Sequence, residues 1–298
     1  MIELAPNHKY GLTIDVPLMP ASGAFGFGDA YGDLVDISKL GAIVTNPISL
    51  QPRQAAQGRR IAVHEDAFVV HTGWPNPGAR RVIREYGATW ERLAVPVIVH
   101  LLANHAPDAA RAAALFSAVP NVRAIELGFT AAVSRKRAVE LVAAAANEGD
   151  LPIIAQIPFD RVDDLAPYLA RQGVDALTLT APPRAVLPIG EDGEDPGVAR
   201  FSRGRLYGRA LFPLLLNTLS RWVVKLPVPV IACGGIASTD DALACLTLGA
   251  AAVQVDALLW RDPSLLDRIA RAMAQPRAVH PTVTGLMSLG EPETEENV

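Results

Sequence analysis

Short apolar runs recur along this chain, and each is followed by a polar, amphipathic segment. Eight such runs lie at 18–22, 42–46, 96–101, 123–127, 152–157, 175–179, 229–235 and 251–255. Continuous apolar runs of this length are typical of parallel strands that are covered by helices, because both faces of such strands are buried. The alternation therefore predicts eight βα units.

The segments between the runs contain helix signals. Ser238 and the acidic pair Asp240-Asp241 form an N-cap and a first turn, and Gly249 follows the last turn. Further helices are predicted near 107–117, 134–147, 160–172, 206–225 and 263–275. Eight units in about 250 residues favour an α/β fold of the TIM (β/α)8 barrel type. A doubly wound open sheet is the alternative, because periodicity does not reveal closure.

The two ends of the chain have separate predictions. Residues 2–16 are predicted to form a β-hairpin around a turn at Asn7 to Gly11, placed to cover the N-terminal end of the barrel. Residues 1–285 are predicted to form one barrel domain, and the acidic tail at 286–298 is expected to be disordered.

Composition excludes several classes of partner. The 298 residues have 27 basic and 31 acidic side chains, a net charge of -4, which gives no electrostatic reason to bind nucleic acid or an anionic membrane. No signal peptide is recognisable, and no run approaches the ~20 apolar residues of a membrane span. A cytoplasmic protein that acts on a small molecule is expected. Cys233 and Cys245 fit no zinc or redox spacing and are predicted to be buried free thiols.

Two glycine-containing segments are candidate phosphate sites, which barrels often build after strands 7 and 8. The seventh run ends in Gly234-Gly235 ahead of a helix, where backbone N–H groups can approach an anion; a simple turn is the alternative. The segment Arg203–Arg209 has three cations before a predicted helix. It is a candidate phosphate loop, and a solvated basic loop is the alternative. Asp256, which ends the eighth run, would repel a phosphate unless it points away or pairs with an arginine.

Several motifs in order carry a family resemblance. They are the glycine-spaced loop MPASGAFGFG at 19–28, LGAIVTNPISLQPR, GWPNPG at 73–78, PVPVIACGGI and TLGAAAVQV. Together they resemble the dihydroorotate dehydrogenase family, and more closely its soluble class 1 branch, over about residues 1–275. The resemblance implies a TIM barrel that binds FMN and oxidises dihydroorotate to orotate in pyrimidine synthesis. It also implies a homodimer or a complex with an electron-transfer subunit.

The resemblance also implies positions for FMN. The flavin ring would lie near Ala21, Ser22 and Gly23, and its phosphate would meet the backbone of Gly208, Gly234, Gly235, Asp256 and Ala257. Two family lysines are replaced here by Asn46 and Gln156, and the family's Gly-Thr after strand 8 reads Asp256-Ala257. Two lost cations and one gained anion weaken a site for a dianionic phosphate.

The substrate motif departs further from the family. A family motif resembling ELNxSCPN reads ELGFTAAV here, so that Gly128 and Val133 replace asparagines and Ala131 stands at the position of the cysteine base. Two other family asparagines align with Val70 and, approximately, Ala181. Alanine cannot accept a proton, and a bound pyrimidine carboxylate would leave polar groups unpaired. The chain is therefore predicted not to oxidise dihydroorotate efficiently.

Three new polar side chains are candidate catalytic groups: His100, His71 and Tyr207. Histidine is the usual acid or base near neutral pH, and tyrosine can donate to an oxyanion, although each could be purely structural. Glu126 and His100 could share a metal, but no third ligand is evident. The favoured hypothesis is an FMN-dependent oxidoreductase with a changed substrate. The alternative is a non-catalytic barrel that serves as a partner subunit or small-molecule binder.

Overall fold

The computed structural model describes residues 1–28, 30–32, 34–58, 60–188 and 201–274. Its strands are β1 (Ile2–Glu3), β2 (Thr13–Ile14), β3 (Leu18–Pro20), β4 (Ile43–Val44), β5 (Ile48–Ser49), β6 (Ile61–His64), β7 (Ala67–Val70), β8 (Val97–Leu102), β9 (Val122–Gly128), β10 (Ile153–Pro158), β11 (Ala176–Ala181), β12 (Arg184–Pro188), β13 (Phe201–Gly208), β14 (Val230–Cys233) and β15 (Ala252–Val255). Its α-helices are α1 (Ala79–Glu91), α2 (Ala106–Ser117), α3 (Arg135–Gly149), α4 (Val162–Leu169), α5 (Phe212–Trp222), α6 (Thr239–Thr247) and α7 (Leu265–Ala274).

Eight parallel strands form the predicted barrel. Their hydrogen-bonded order is β3-β15-β14-β11-β10-β9-β8-β4, and each predicted run overlaps one of them. The ring closes where Gly41 N donates to Leu18 O at 2.8 Å. Side chains on the outer faces pack under the helices and those on the inner faces fill the barrel, which is why the runs are apolar on both faces. The barrel prediction is confirmed.

The N-terminal hairpin is also confirmed. Strands β1 and β2 pair antiparallel, with Ile2 opposite Ile14. Leu4, Leu12 and Ile14 are buried against residues at the starts of the barrel strands, such as Met19 and Ile98. Each such side chain contributes about 1.5–3 kcal/mol by leaving water. The hairpin thus closes the amino end of the barrel and leaves the carboxyl end for a site.

The helix predicted over 206–225 is shorter than expected. Residues Phe201–Gly208 form β13, which pairs with β7 in the register Arg205 opposite Val70, and α5 begins only at Phe212. Buried and exposed residues alternate at the start of this strand, with Ser202 and Gly204 buried. The segment Arg203–Arg209 is therefore mainly a strand, and its role in binding phosphate stays a prediction. Helix α1 has no counterpart among the predicted helices.

A second sheet lies beside the carboxyl end of the barrel. It is antiparallel, in the order β12-β13-β7-β6, and its chain segments follow barrel strands β4 and β11. In the part of the chain that the structure describes, no helix has the length and apolar character needed to span a bilayer. The predicted domain boundary at 285 and the acidic tail at 286–298 lie outside the described residues.

Candidate functional site

A cavity of about 550 Å³ opens at the carboxyl ends of the barrel strands. Its wall includes Ser22 after β3, Asn46 after β4, Gly128 at the end of β9 and Tyr207 on β13. Barrel enzymes hold their substrates at this end, and a cavity of this volume suits a small molecule.

The cavity is lined by four arginines, which are Arg53, Arg137, Arg184 and Arg205. Among its described lining residues there is no aspartate or glutamate. The Arg205 guanidinium donates to Pro182 O at 3.2 Å and lies 4.5 Å from the Trp74 ring centroid. Burial lowers the pKa of Arg205, yet an arginine keeps its charge at neutral pH. Arg137 pairs with Glu140 at 2.9 Å, so Arg53, Arg184 and Arg205 are the cations by which the cavity favours an anionic ligand.

Beneath the cavity lies a buried polar network around Glu126, which is fully buried. His100 Nδ1 lies 2.7 Å from one carboxylate oxygen, and Thr178 Oγ1 at 2.6 Å and Gln254 Nε2 at 2.9 Å donate to the other. Burial by itself would raise the pKa of Glu126, but these hydrogen bonds outweigh it and lower the pKa below its usual value. Because a carboxylate only accepts, Nδ1 of His100 carries the proton.

His100 and Gly128 fit each other sterically. A Cβ atom added at Gly128 would lie 2.3 Å from His100 Nε2 and 2.8 Å from Cε1, so any other residue at 128 would collide with the imidazole. Gly128 lines the cavity, whereas His100 is 4% exposed and lies directly behind it. Gly128, which replaces a family asparagine, thus leaves the space that the imidazole of His100 occupies.

The other two candidate catalytic residues, His71 and Tyr207, both line the cavity. His71 is exposed, and its backbone N donates to Arg60 O at 2.7 Å. The Tyr207 ring stacks on Phe68, with 5.6 Å between centroids, and burial raises the pKa of its hydroxyl well above the usual value. Tyr207 is therefore a neutral ring in the cavity wall. The structure brings His71 and Tyr207 to one cavity and places His100 below it.

The residues predicted to hold the flavin ring fit such a group. Ser22 and Gly23 line the cavity with Asn46, and a Cβ at Gly23 would meet nothing within 4 Å. Ser22 Oγ and Asn46 Oδ1 are buried without a hydrogen-bond partner in the protein, so both atoms are available to bind a ligand. Ala21 is buried behind them, where its N donates to Val255 O. Gln156 is buried on β10 and is not among the described cavity residues.

The residues predicted to hold the flavin phosphate do not fit it. Gly208, Gly234, Gly235, Asp256 and Ala257 are all absent from the described cavity lining. Asp256 accepts hydrogen bonds from Gly235 N at 3.2 Å and Leu258 N at 3.1 Å. Of the predicted phosphate residues, Gly235 therefore has its N–H group already bonded to a carboxyl group of the chain itself.

Sequence reasoning identified Arg205, within the segment Arg203–Arg209, but missed the other three arginines and most of the Glu126 network. The arginines come from segments far apart in the chain, which no local spacing connects. The network left one signal, because His100, Glu126, Thr178 and Gln254 are each a polar residue inside an apolar run. Within the described residues no three His, Cys, Asp or Glu side chains cluster as a metal site, and Cys233 and Cys245 are free and buried.

Comparisons with known proteins agree on one family. The family model described as "Dihydroorotate dehydrogenase" matches residues 6–155 and 192–276. The catalytic subunit of dihydroorotate dehydrogenase B (NAD(+)) from Pelobacter propionicus is 30% identical over 275 residues, which cover 88% of this chain and 90% of that protein. The catalytic subunits from Geobacter sulfurreducens, at 29% identity with the same coverage, and from a Geobacillus strain, at 27% over 87% of this chain and 86% of that protein, are similar.

These matches confirm the resemblance that the motifs carried. At the level of the family they also confirm the prediction of a dihydroorotate dehydrogenase-like oxidoreductase that uses FMN in pyrimidine metabolism. The family model covers more than half of the residues, including the loops after β3 and β14, although the matched ranges leave out β11. This chain belongs to the dihydroorotate dehydrogenase family.

Proposed function

We propose that this family member acts on a small organic anion other than dihydroorotate, held in the cavity and exchanging a proton with His100. The observation that carries the proposal is the cavity wall with four arginines and no described acidic residue. A desolvated arginine such as Arg205 binds a carboxylate or phosphate with paired, charge-assisted hydrogen bonds. The Trp74 ring beside it adds a flat apolar surface.

The loop after β9 supports a changed substrate. Ala131 stands where the family has its base, and Val133 stands where it has an asparagine. Arg161 Nη1 fixes this loop by donating to Ala131 O and Val133 O, both at 2.7 Å. The loop is thus held in place by a structural arginine and offers neither a base nor an amide at these positions. Dihydroorotate would leave its polar groups unpaired there.

Of the three candidate residues, His100 is the one whose side chain is oriented by a buried carboxylate. Glu126 accepts from Nδ1–H and fixes the ring, which leaves Nε2 as the nitrogen that takes up or releases a proton. A buried carboxylate has the same orienting effect on the histidine of a Ser-His-Asp triad. Because Nε2 contacts Gly128, the wall between this nitrogen and the cavity has no side chain.

Ligand binding without a reaction is the second candidate, and Asp256 favours it. If Asp256 occupies the N–H donors that the flavin phosphate would use, FMN does not bind at the family's position and the redox chemistry of the family has no cofactor there.

The relatives are named as catalytic subunits, so they belong to assemblies. The predicted homodimer or complex with an electron-transfer subunit stays a prediction for this chain, as does the cytoplasmic location. Light scattering of the purified chain measures the oligomeric state.

Thermal unfolding of the purified chain in a panel of di- and tricarboxylates, sugar phosphates and orotate tests the proposal. We expect at least one anion other than orotate to raise the melting temperature, and the Arg205→Gln variant to lose that increase. The matched control is Arg203→Gln on the same strand, because Arg203 is exposed and outside the described cavity lining. Turnover of dihydroorotate at ordinary enzyme rates, or no response to any anion, would contradict the proposal.

A further inference from the structure

We propose that Asp256 is an internal replacement for the phosphate of FMN, and that this chain does not hold the cofactor in its family's position. The inference goes beyond the proposed function, because an anionic substrate could bind in the cavity whether or not FMN is present. It rests on three independent features of the carboxyl end of β14 and β15, which are the hydrogen bonds of Asp256, the aromatic side chains above it and the packing of the glycines.

The first feature is the pair of hydrogen bonds. Asp256 Oδ2 accepts from Gly235 N at 3.2 Å, and Oδ1 accepts from Leu258 N at 3.1 Å. These two N–H groups lie after the seventh and eighth barrel strands, where barrels commonly bind phosphate. The side chain of Asp256 is 2% exposed, so it points into the protein and toward these donors. The carboxyl group of Asp256 thus occupies two N–H donors that a bound phosphate would use.

The second feature is an aromatic cluster of Phe68, Tyr207 and Trp260. The rings of Phe68 and Tyr207 stack with 5.6 Å between centroids, and Trp260 lies 6.2 Å from Phe68 and 6.4 Å from Tyr207. Phe68 packs with Leu258 in one buried apolar cluster. The described cavity lining includes Tyr207 and Trp260 but not Asp256, so the two rings form part of the cavity wall and the carboxyl group does not.

The third feature explains why the glycine motif persists without a phosphate. A Cβ added at Gly235 would lie 2.6 Å from Phe212 N and 3.0 Å from Gly208 O, so the loop packs directly on the start of α5. A Cβ at Gly208 would lie 2.4 Å from Asp66 O. Both positions also have a positive φ, which favours glycine. The packing of the protein alone therefore requires these glycines, and their presence does not imply a flavin.

Together these features exclude FMN from this position. A flavin phosphate placed at Gly235 would compete with Asp256 for the N–H donors of Gly235 and Leu258, and would meet a buried carboxyl group. The open half of the site, around Ser22 and Asn46, remains available to a smaller ligand.

The test titrates the full-length chain with FMN and follows the flavin fluorescence. We expect the purified wild type to be colourless and to show no saturable quenching. In the Asp256→Ala variant, Gly235 N–H and Leu258 N–H become available. We expect this variant to melt at a lower temperature than the wild type, and inorganic phosphate to raise its melting temperature more than that of the wild type. Its affinity for phosphate should be roughly tenfold higher, the factor that one charge-assisted hydrogen bond represents.

Leu258→Ala is the matched control, because it removes a buried side chain at the same place but leaves the carboxylate on its donors. It should lower the melting temperature without any gain in phosphate response. Asp256→Ser, which keeps a cap for Leu258 N–H and frees only Gly235 N–H, is the second variant if Asp256→Ala fails to fold. A wild type that retains FMN or binds it saturably overturns the proposal. So do folded variants that respond to phosphate no more than the wild type.

Discussion

Two buried carboxylates, Glu126 in the barrel interior and Asp256 at the end of β15, have nearly the same exposure and opposite surroundings. Glu126 has a histidine, a hydroxyl and an amide as partners, and its pKa is lowered. Among the described residues, the partners of Asp256 are two backbone N–H groups, and burial raises its pKa. The comparison shows that the partners of a buried carboxyl group, and not its burial alone, decide which protonation state the fold favours.

The largest expected effect is the loss of stability on removal of the Glu126 carboxylate. Glu126→Ala would leave His100 Nδ1, Thr178 and Gln254 without their shared acceptor in the barrel interior. We expect the free energy of unfolding to fall by about 3–5 kcal/mol, as for other broken buried networks. Urea denaturation measures it. The control is Glu140→Ala, which removes a partly exposed pair with Arg137 and should cost only about 0–1 kcal/mol. Equal losses of unfolding free energy in the two variants would show that the Glu126 network stabilises the fold no more than an exposed ion pair does.

A smaller effect tests the fit between His100 and Gly128. Gly128→Ala would place a methyl group against the imidazole, and we expect a loss of about 1–3 kcal/mol from overpacking. The double variant Gly128→Ala/His100→Ala should lose less than the sum of the two single variants, because the second change removes the collision. Gly87→Ala in α1 is the control. Its Cβ would meet nothing closer than 3.8 Å, so it should stabilise the helix by about 0.5–1 kcal/mol.

The smallest expected effects are the opposite pH dependences of the two carboxyl groups. The pKa of Glu126 is lowered, so its contribution to stability is present above the unfolded pKa and is lost as the pH falls through the folded value. The pKa of Asp256 is raised, so the folded state binds the proton more tightly, and stability is lost as the pH rises from the unfolded to the folded pKa. A tenfold difference in proton affinity between the folded and unfolded states corresponds to about 1.4 kcal/mol of stability.

Urea denaturation of the wild type against Glu126→Gln and against Asp256→Asn, across the acidic and neutral range, measures both dependences. The stability advantage of the wild type over Glu126→Gln should shrink toward low pH. Relative to Asp256→Asn, the wild type should lose stability as the pH rises. If the stability difference from the wild type changed with pH in the same direction for Glu126→Gln and Asp256→Asn, the two carboxyl groups would not differ as proposed.

Part of the site follows from the sequence and part does not. Motif or residue type alone identifies Ser22, Gly23, Asn46, His71 and Tyr207, and all of them line the cavity. Residue type also identifies His100, but its place beneath the wall depends on Gly128 and on hydrogen bonds to a neighbouring strand. The arginines at 53, 137, 184 and 205 could not be grouped, because they converge only when the second sheet and the loops after the strands pack together.

The sequence by itself determined where the barrel strands and the N-terminal hairpin lie. The eight apolar runs and the hairpin are local patterns, and local periodicity decides which segments become strands. Closure of the eight strands into a barrel was decided by the tertiary structure, in the contact of Gly41 N with Leu18 O. The tertiary structure decided what the polar residues do. Whether Asp256 repels a phosphate or replaces one depends on which N–H groups its oxygens reach, and those donors belong to a loop 21 positions away and to the turn that follows. Hydrogen-bond partners are chosen by packing in three dimensions, which the order of residues along the chain does not display.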